Sequence, residues 1–135
     1  MPSKFPAVGG ANVSGAETIV QKYLPTWREP DPEVRAKAIA ELWSTDAIYR
    51  NATTEYVGRL GIEHAVTEAY ETFAVHGCTF RVDSVDTNHE AIRYRWEMLP
   101  PGGGEPTAIG TQVVVLDADG LMVRDHQFLD KAPTT

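Results

Sequence analysis

Apolar residues recur along this chain at two different spacings, and the change of spacing divides it. Up to Gly77 they fall three and four residues apart; beyond it they alternate. Ile19, Val20, Tyr23, Leu24 and Trp27 share one helical face behind Ser14 and Glu17, a pair at capping-box spacing, and predict a first helix from Ser14 to about Pro25. Pro25 removes an N–H and crowds the preceding turn, so Trp27 is expected in an irregular last turn. Asp31-Pro32 is an N-cap and first-position pair. It opens a second helix with Val34, Ala38, Ile39, Leu42 and Trp43 on its apolar side, ending near Ser44. Residues 47–51 predict a short strand. A loop through Gly58 and Gly61 leads to a third helix carrying Ile62, Ala65, Val66, Ala69, Tyr70 and Phe73, with Gly77 as its stop.

Four alternating stretches follow, at residues 78–86, 90–99, 108–116 and 121–129. They are divided by Thr87-Asn88-His89, by the Pro/Gly loop at 100–106 and by residues 117–120. Connections this short join antiparallel neighbours. Three helices and then a four-strand meander, with one short strand interposed, predict an α+β architecture in which helices cover one face of a curved, mainly antiparallel sheet. Residues 1–13, with Pro2, Pro6, Gly9 and Gly10, are expected as an N-terminal tail, residues 14–130 as one domain, and residues 131–135 as a C-terminal tail.

A length of 135 residues suits a single domain with a real core and no need of disulfides or metal. Twelve basic against nineteen acidic residues give a net charge of -7, which disfavours nucleic acid and anionic membrane surfaces as partners. Cys78 is the single cysteine, the N-terminus lacks the apolar run of a signal peptide, and no window approaches a transmembrane span, so a soluble cytoplasmic protein is expected. His64 and His76 lie twelve residues apart with no clustered ligand spacing around them, and Gly102-Gly103-Gly104 lacks the Lys-Ser/Thr of a phosphate loop. No metal and no cofactor are expected.

Candidate chemistry concentrates in the last patterned stretch, LMVRDHQFLD. Val123, Asp125, Gln127 and Leu129 alternate against Arg124, His126 and Phe128, so a carboxylate shares a strand face with apolar neighbours. If that face looks into a pocket, Asp125 is a candidate acid or base; if it looks at water, Asp125 is a surface charge. On residues 90–99, Ile92, Tyr94, Trp96 and Met98 alternate with Arg93, Arg95 and Glu97, and the apolar set is expected to face inward.

The element order, with Trp43 closing the second helix before Asp46-Ala47-Ile48-Tyr49, then Tyr56-Val57-Gly58 and the third helix, resembles the NTF2-like superfamily and in particular its SnoaL-like members. The similarity spans roughly residues 14–130. It implies a cone whose curved sheet and helices enclose an apolar pocket for a hydrophobic small molecule, and a homodimer formed through the outer sheet face. Val20-Gln21-Lys22-Tyr23 resembles the ketosteroid isomerase segment whose tyrosine donates to the developing oxyanion. The catalytic aspartate of those enzymes is replaced here by Asn51, and their protonated second aspartate by Gln112. Tyr49-Arg50-Asn51 is similar to an element of limonene-type epoxide hydrolases, and Arg95-Trp96-Glu97 to a second with glutamate substituted, while their last-strand aspartate falls on Gln127. In SnoaL-type polyketide cyclases one last-strand aspartate is the general acid/base, and Asp125 resembles it.

The resemblance thus implies a catalytic set of Asp125, Tyr23 and Asn51. Trp27, Tyr49, Phe73, Trp96, Gln112 and Gln127 are the expected substrate contacts. Aromatic walls would strip water from Asp125 and raise its pKa towards neutrality, while neutral Asn51 and Gln127 would orient the substrate without lowering that pKa strongly. The expected function is a cofactor-independent cyclase, isomerase or hydrolase; the alternative is a non-catalytic domain that binds a ligand or a protein, suggested by the carboxylates missing at Asn51 and Gln112.

Overall fold

The computed structural model describes residues 6–133. Helix α1 spans Pro6–Tyr23 and is followed by a 3-10 turn, Leu24–Arg28; α2 spans Pro32–Leu42; strand β1 is Trp43–Arg50 and β2 is Glu55–Val57; α3 is Gly58–Thr72. A short 3-10 turn, Ala74–His76, then leads into β3 (Thr79–Asn88), β4 (Ala91–Leu99), β5 (Ala108–Leu116) and β6 (Met122–Lys131). The six strands form one curved sheet in the order β2-β1-β6-β5-β4-β3. Every adjacent pair is antiparallel except β1 with β6, which run parallel. The expected α+β layout with a mainly antiparallel sheet is therefore present.

Several boundaries differ from the sequence reading. Helix α1 begins upstream of Ser14, because a serine inside a helix costs only a few tenths of a kcal/mol and capping-box spacing alone does not stop the helix running further back. Of the predicted tails, residues 1–5 and 134–135 lie outside the described residues. Trp43 both caps α2, its N–H bonding the Ile39 carbonyl, and starts β1 in extended conformation, so no gap separates helix from strand. The expected loop before α3 contains β2, which returns along β1 through a turn at residues 51–54. Thr87 and Asn88 belong to β3, and the reversal sits at His89, whose φ of 52° is the one positive value at a described non-glycine residue.

Asp31 caps α2 as predicted, its Oδ1 accepting from the Glu33 N–H at 2.9 Å. Asp31→Ala is expected to cost about 1 kcal/mol in urea denaturation, the usual worth of an exposed cap. Arg35, only 4% exposed, does more. Its guanidinium donates to the Glu29 carbonyl (3.0 and 2.8 Å) and to Thr67 Oγ1 (2.7 Å) and lies 5.0 Å from the Tyr70 ring centroid. It thereby ties the segment entering α2 to α3. Arg35→Met leaves those part-buried acceptors without a donor and is expected to lower stability by about 3 kcal/mol; a loss under 1 kcal/mol in the same denaturation measurement would show that water replaces the guanidinium.

The helices cover one sheet face, α1 lying against β3 and α3 against β1. Between them the core gathers Tyr23, Ile39, Trp43, Ile62, Val66, Val114 and Met122. On β4 the apolar set Ile92, Tyr94, Trp96 and Met98 faces inward as expected. Glu97, on the opposite face, accepts from Arg81 and Arg95, and these pairs hold its carboxyl below the usual range.

Candidate active site

Strand pairing sets the site. In the parallel β1–β6 ladder Tyr49 stands beside Asp125, and in the antiparallel β5–β6 ladder Gln112 stands beside Gln127. Asp125 is two residues from Gln127, so it is the diagonal neighbour of Gln112 on the same face. A bulge at Val123 interrupts the alternation: Leu116 pairs with Met122 and Val115 with Arg124. Both Met122 and Asp125 consequently point inward, each 0% exposed.

Asp125 is the only buried carboxylate among the described residues. The Tyr23 hydroxyl donates to Asp125 Oδ2 at 2.6 Å. Gln112 Nε2 donates to both carboxylate oxygens, at 2.9 and 2.8 Å, and lies 3.4 Å from the Tyr23 hydroxyl. Burial pushes the Asp125 carboxyl from 3.8 up to about 7, against the lowering effect of the hydrogen bonds from Tyr23 and Gln112. Burial, and then the nearby Asp125 charge, raise Tyr23, Tyr49 and Tyr94 above the ordinary tyrosine range, so all three stay neutral donors. The Tyr94 hydroxyl is buried there without a hydrogen-bond partner.

Beside this cluster lies a cavity of about 360 Å³. Of the residues expected to contact substrate, Trp27, Tyr49, Phe73 and Trp96 form aromatic wall, and Gln112 and Gln127 supply polar groups. Asn51 also lines it, but its Oδ1 is occupied by the N–H groups of Thr53 (3.0 Å) and Thr54 (2.9 Å), closing the β1–β2 turn. Tyr23 and Asp125 do not line the cavity. Asp125 thus meets neither of the two situations weighed from the sequence; it sits behind the cavity surface, and Gln112 belongs to both groups.

Sequence reasoning missed Tyr56, Phe80 and Glu68 in the lining, and it missed Gly110. Gly110 pairs with Trp96, and a Cβ built on it would overlap the indole at Cζ2 and Cε2. A lone glycine inside an alternating strand is the signal that could have marked this close approach. The Arg95-Trp96-Glu97 element turns only Trp96 inward, so the charged pair of an epoxide-hydrolase water site is absent from the cavity. Among the described residues no three metal-binding side chains cluster, and no helix is long and apolar enough to cross a membrane.

Residues 20–125 match the family model of the SnoaL-like domain. A candidate isomerase of the SnoaL-like family from Agrobacterium tumefaciens str. C58 superposes with a TM-score of 0.79 at 29% identity, over 87% of this chain and 98% of its own. A candidate polyketide cyclase from Sinorhizobium meliloti (TM-score 0.64, 15% identity, 82% of this chain and 93% of that one) shares the fold. So does a candidate ketosteroid isomerase from Kribbella flavida DSM 17836 (TM-score 0.64, 16% identity, 96% and 86%). No curated protein sequence matches the chain. The family model covers most of the chain, and the helices and curved sheet superpose on those of its members: the protein belongs to the SnoaL-like family and has the NTF2-like α+β cone fold.

Proposed function

We propose that the protein is a cofactor-independent enzyme that moves a proton on an uncharged hydrophobic small molecule, with Asp125 as acid/base and Tyr23 as the donor that holds it. One observation carries this: a carboxyl whose pKa lies near 7 is bonded directly to Gln112, a side chain of the cavity surface. A group ionising near the working pH can both give and take a proton, and its burial destabilises the fold, which favours a functional reason for keeping it. Among the described residues the lining contains no Lys or Arg to neutralise an anionic substrate and is mostly aromatic and aliphatic, so a neutral ligand is favoured. Gln112 separates the carboxylate from the cavity, so direct proton transfer requires its side chain to turn aside. The likeness to a candidate isomerase supports proton transfer over hydrolysis.

The test uses a panel of neutral one- and two-ring ketones in D2O, with exchange of the hydrogens next to the carbonyl followed by NMR. Exchange is expected above the buffer rate and reduced by about 10²- to 10⁴-fold in Asp125→Asn, the usual worth of a positioned acid/base. Background exchange for every ketone, or an undiminished rate in the variant, rejects it. A second reading, a binding domain without catalysis, draws on Asp125 and Tyr23 lying off the cavity surface; ketones that bind but do not exchange would support it.

A further inference from the structure

Among the described residues, Gln112 is the one side chain that both lines the cavity and hydrogen-bonds the buried carboxylate. Its Nε2 is turned away from the cavity, towards Asp125 and the Tyr23 hydroxyl. Its other polar atom, Oε1, accepts from no protein group among the described residues and is not buried out of reach. A neutral primary amide has a donor end and an acceptor end, and the partner at one end decides which end is offered at the other. A carboxylate only accepts, so it holds the donor end. A protonated carboxyl also donates, and the amide can then satisfy it by turning over and accepting through Oε1.

We propose that Gln112 converts the protonation state of Asp125 into the hydrogen-bonding character of the cavity surface. With Asp125 ionised the amide offers its carbonyl oxygen and selects a ligand bearing a hydroxyl or N–H; with Asp125 protonated it offers its N–H and selects a carbonyl. The assignment rests on the cavity being the ligand site of the proposed enzyme, but not on turnover. It deepens that reading in one respect. A hydroxyl ligand arrives with Asp125 ready to accept a proton, and a carbonyl ligand arrives with Asp125 ready to donate one, so each class meets the protonation state that its chemistry requires.

Glu68 of α3 also lines the cavity, but it accepts from the Tyr56 hydroxyl and pairs with His64, and it has no hydrogen bond to Gln112 or Asp125. Tyr23 faces Asp125 from α1, Tyr49 from β1 and Tyr94 from β4, and burial keeps all three protonated. No described Lys, Arg or His side chain hydrogen-bonds or ion-pairs with it, and its other partner, Gln112, does not ionise. Gln127, beside Gln112 in the ladder and also lining the cavity, supplies an amide that either ligand class can use and so does not discriminate between them.

The experiment compares a matched pair, the two-ring ketone 1-tetralone and its alcohol 1-tetralol, by calorimetric titration from pH 6 to 8.5. The ketone is expected to lose affinity about tenfold or more over this range, because only the protonated fraction offers it a donor, and the alcohol to gain about tenfold, because only the ionised fraction offers it an acceptor. At pH 8 ketone binding should take up a proton, read from its dependence on buffer ionisation heat. Asp125→Asn should abolish the pH dependence of both ligands. Proton NMR of the Gln112 side-chain amide supplies a readout that a purely structural role would leave unmoved: its N–H₂ should show contacts to the ligand in the ketone complex at pH 6 and to Tyr23 in the alcohol complex at pH 8.5. Equal pH dependence of the two ligands, an amide that stays on Tyr23 throughout, or failure of both to bind overturns the proposal. The expected binding pattern without ketone exchange leaves it standing and removes the enzyme reading, whereas Asp125-dependent exchange with indistinguishable ligands does the reverse.

Discussion

Asp125→Asn is expected to be several kcal/mol more stable than the parent protein at pH 8 and little different near pH 4. In the folded protein burial raises this carboxyl from 3.8 to about 7, whereas the unfolded chain ionises it in the ordinary range. Near pH 4 and below, both states hold the proton. Between that pH and about 7 only the folded state holds it, so the unfolded chain binds fewer protons and stability falls as the pH rises. Above that interval the loss is complete and the folded state carries a buried charge. At about 1.4 kcal/mol per pH unit, the group removes on the order of 4 kcal/mol across the interval. Asparagine cannot ionise and keeps its partners, for the Tyr23 hydroxyl can donate to its amide oxygen and Gln112, turned over, can accept from its N–H₂. Urea denaturation of both proteins at half-unit steps from pH 4 to 8 gives the difference curve. Glu97, held low by Arg95 and Arg81, acts in another window: its contribution is present above the unfolded carboxylate pKa and lost as the pH falls through its lowered one. It is common to both proteins and cancels. Parallel curves would mean that Asp125 is not a buried acid with a raised pKa.

A protein that would be more stable without a side chain and retains it is carrying that side chain for another purpose, and this is the strongest physical reason to place function at Asp125. Tyr23 and Gln112 limit the cost without removing it. Both hydrogen bonds favour the charged form, yet burial outweighs them, and the balance leaves the group near neutrality rather than locked in either state.

The parts of the fold that could be read from sequence are those where burial on one side imposes a period. Asp31-Pro32 opened α2 where expected, and Ile92 to Met98 faced inward because only that alternation puts four apolar side chains into the core. Asp125 stood out for the same reason, as a carboxylate on an apolar face. Periodicity reports a face but not a depth. That Asp125 lies behind the cavity surface depends on Tyr23, 102 residues away, and Gln112, 13 away, contacts that no local pattern encodes. The bulge at Val123 likewise arises from pairing with β5 and breaks an alternation that looked regular. The β2 strand is too short to show a period, and Trp43 serves helix and strand at once.

Gly110→Ala is expected to destabilise the protein by about 3 kcal/mol and to reshape the cavity. The backbone at Gly110 is of an ordinary kind, so a side chain brings no conformational strain; the obstacle is the Trp96 indole lying directly across it from the paired strand. The added methyl overlaps the ring at Cζ2 and Cε2 and approaches Nε1 within 2.7 Å. A rigid indole cannot yield as a flexible chain end would, and Trp96 is only 7% exposed, so the strain passes into the strands or drives the ring into the cavity that it lines. The double variant separates these causes. In a Trp96→Leu background the overlap disappears, and Gly110→Ala should cost under about 1 kcal/mol or even stabilise slightly, since alanine loses less backbone freedom on folding than glycine. The expected coupling is therefore about 2 kcal/mol or more, readable from four denaturation curves. Independent, additive effects would show that the indole does not rest on Gly110. Affinity for 1-tetralone should fall in Gly110→Ala whichever way the strain is relieved, because both routes move the aromatic wall on which a two-ring ligand stacks.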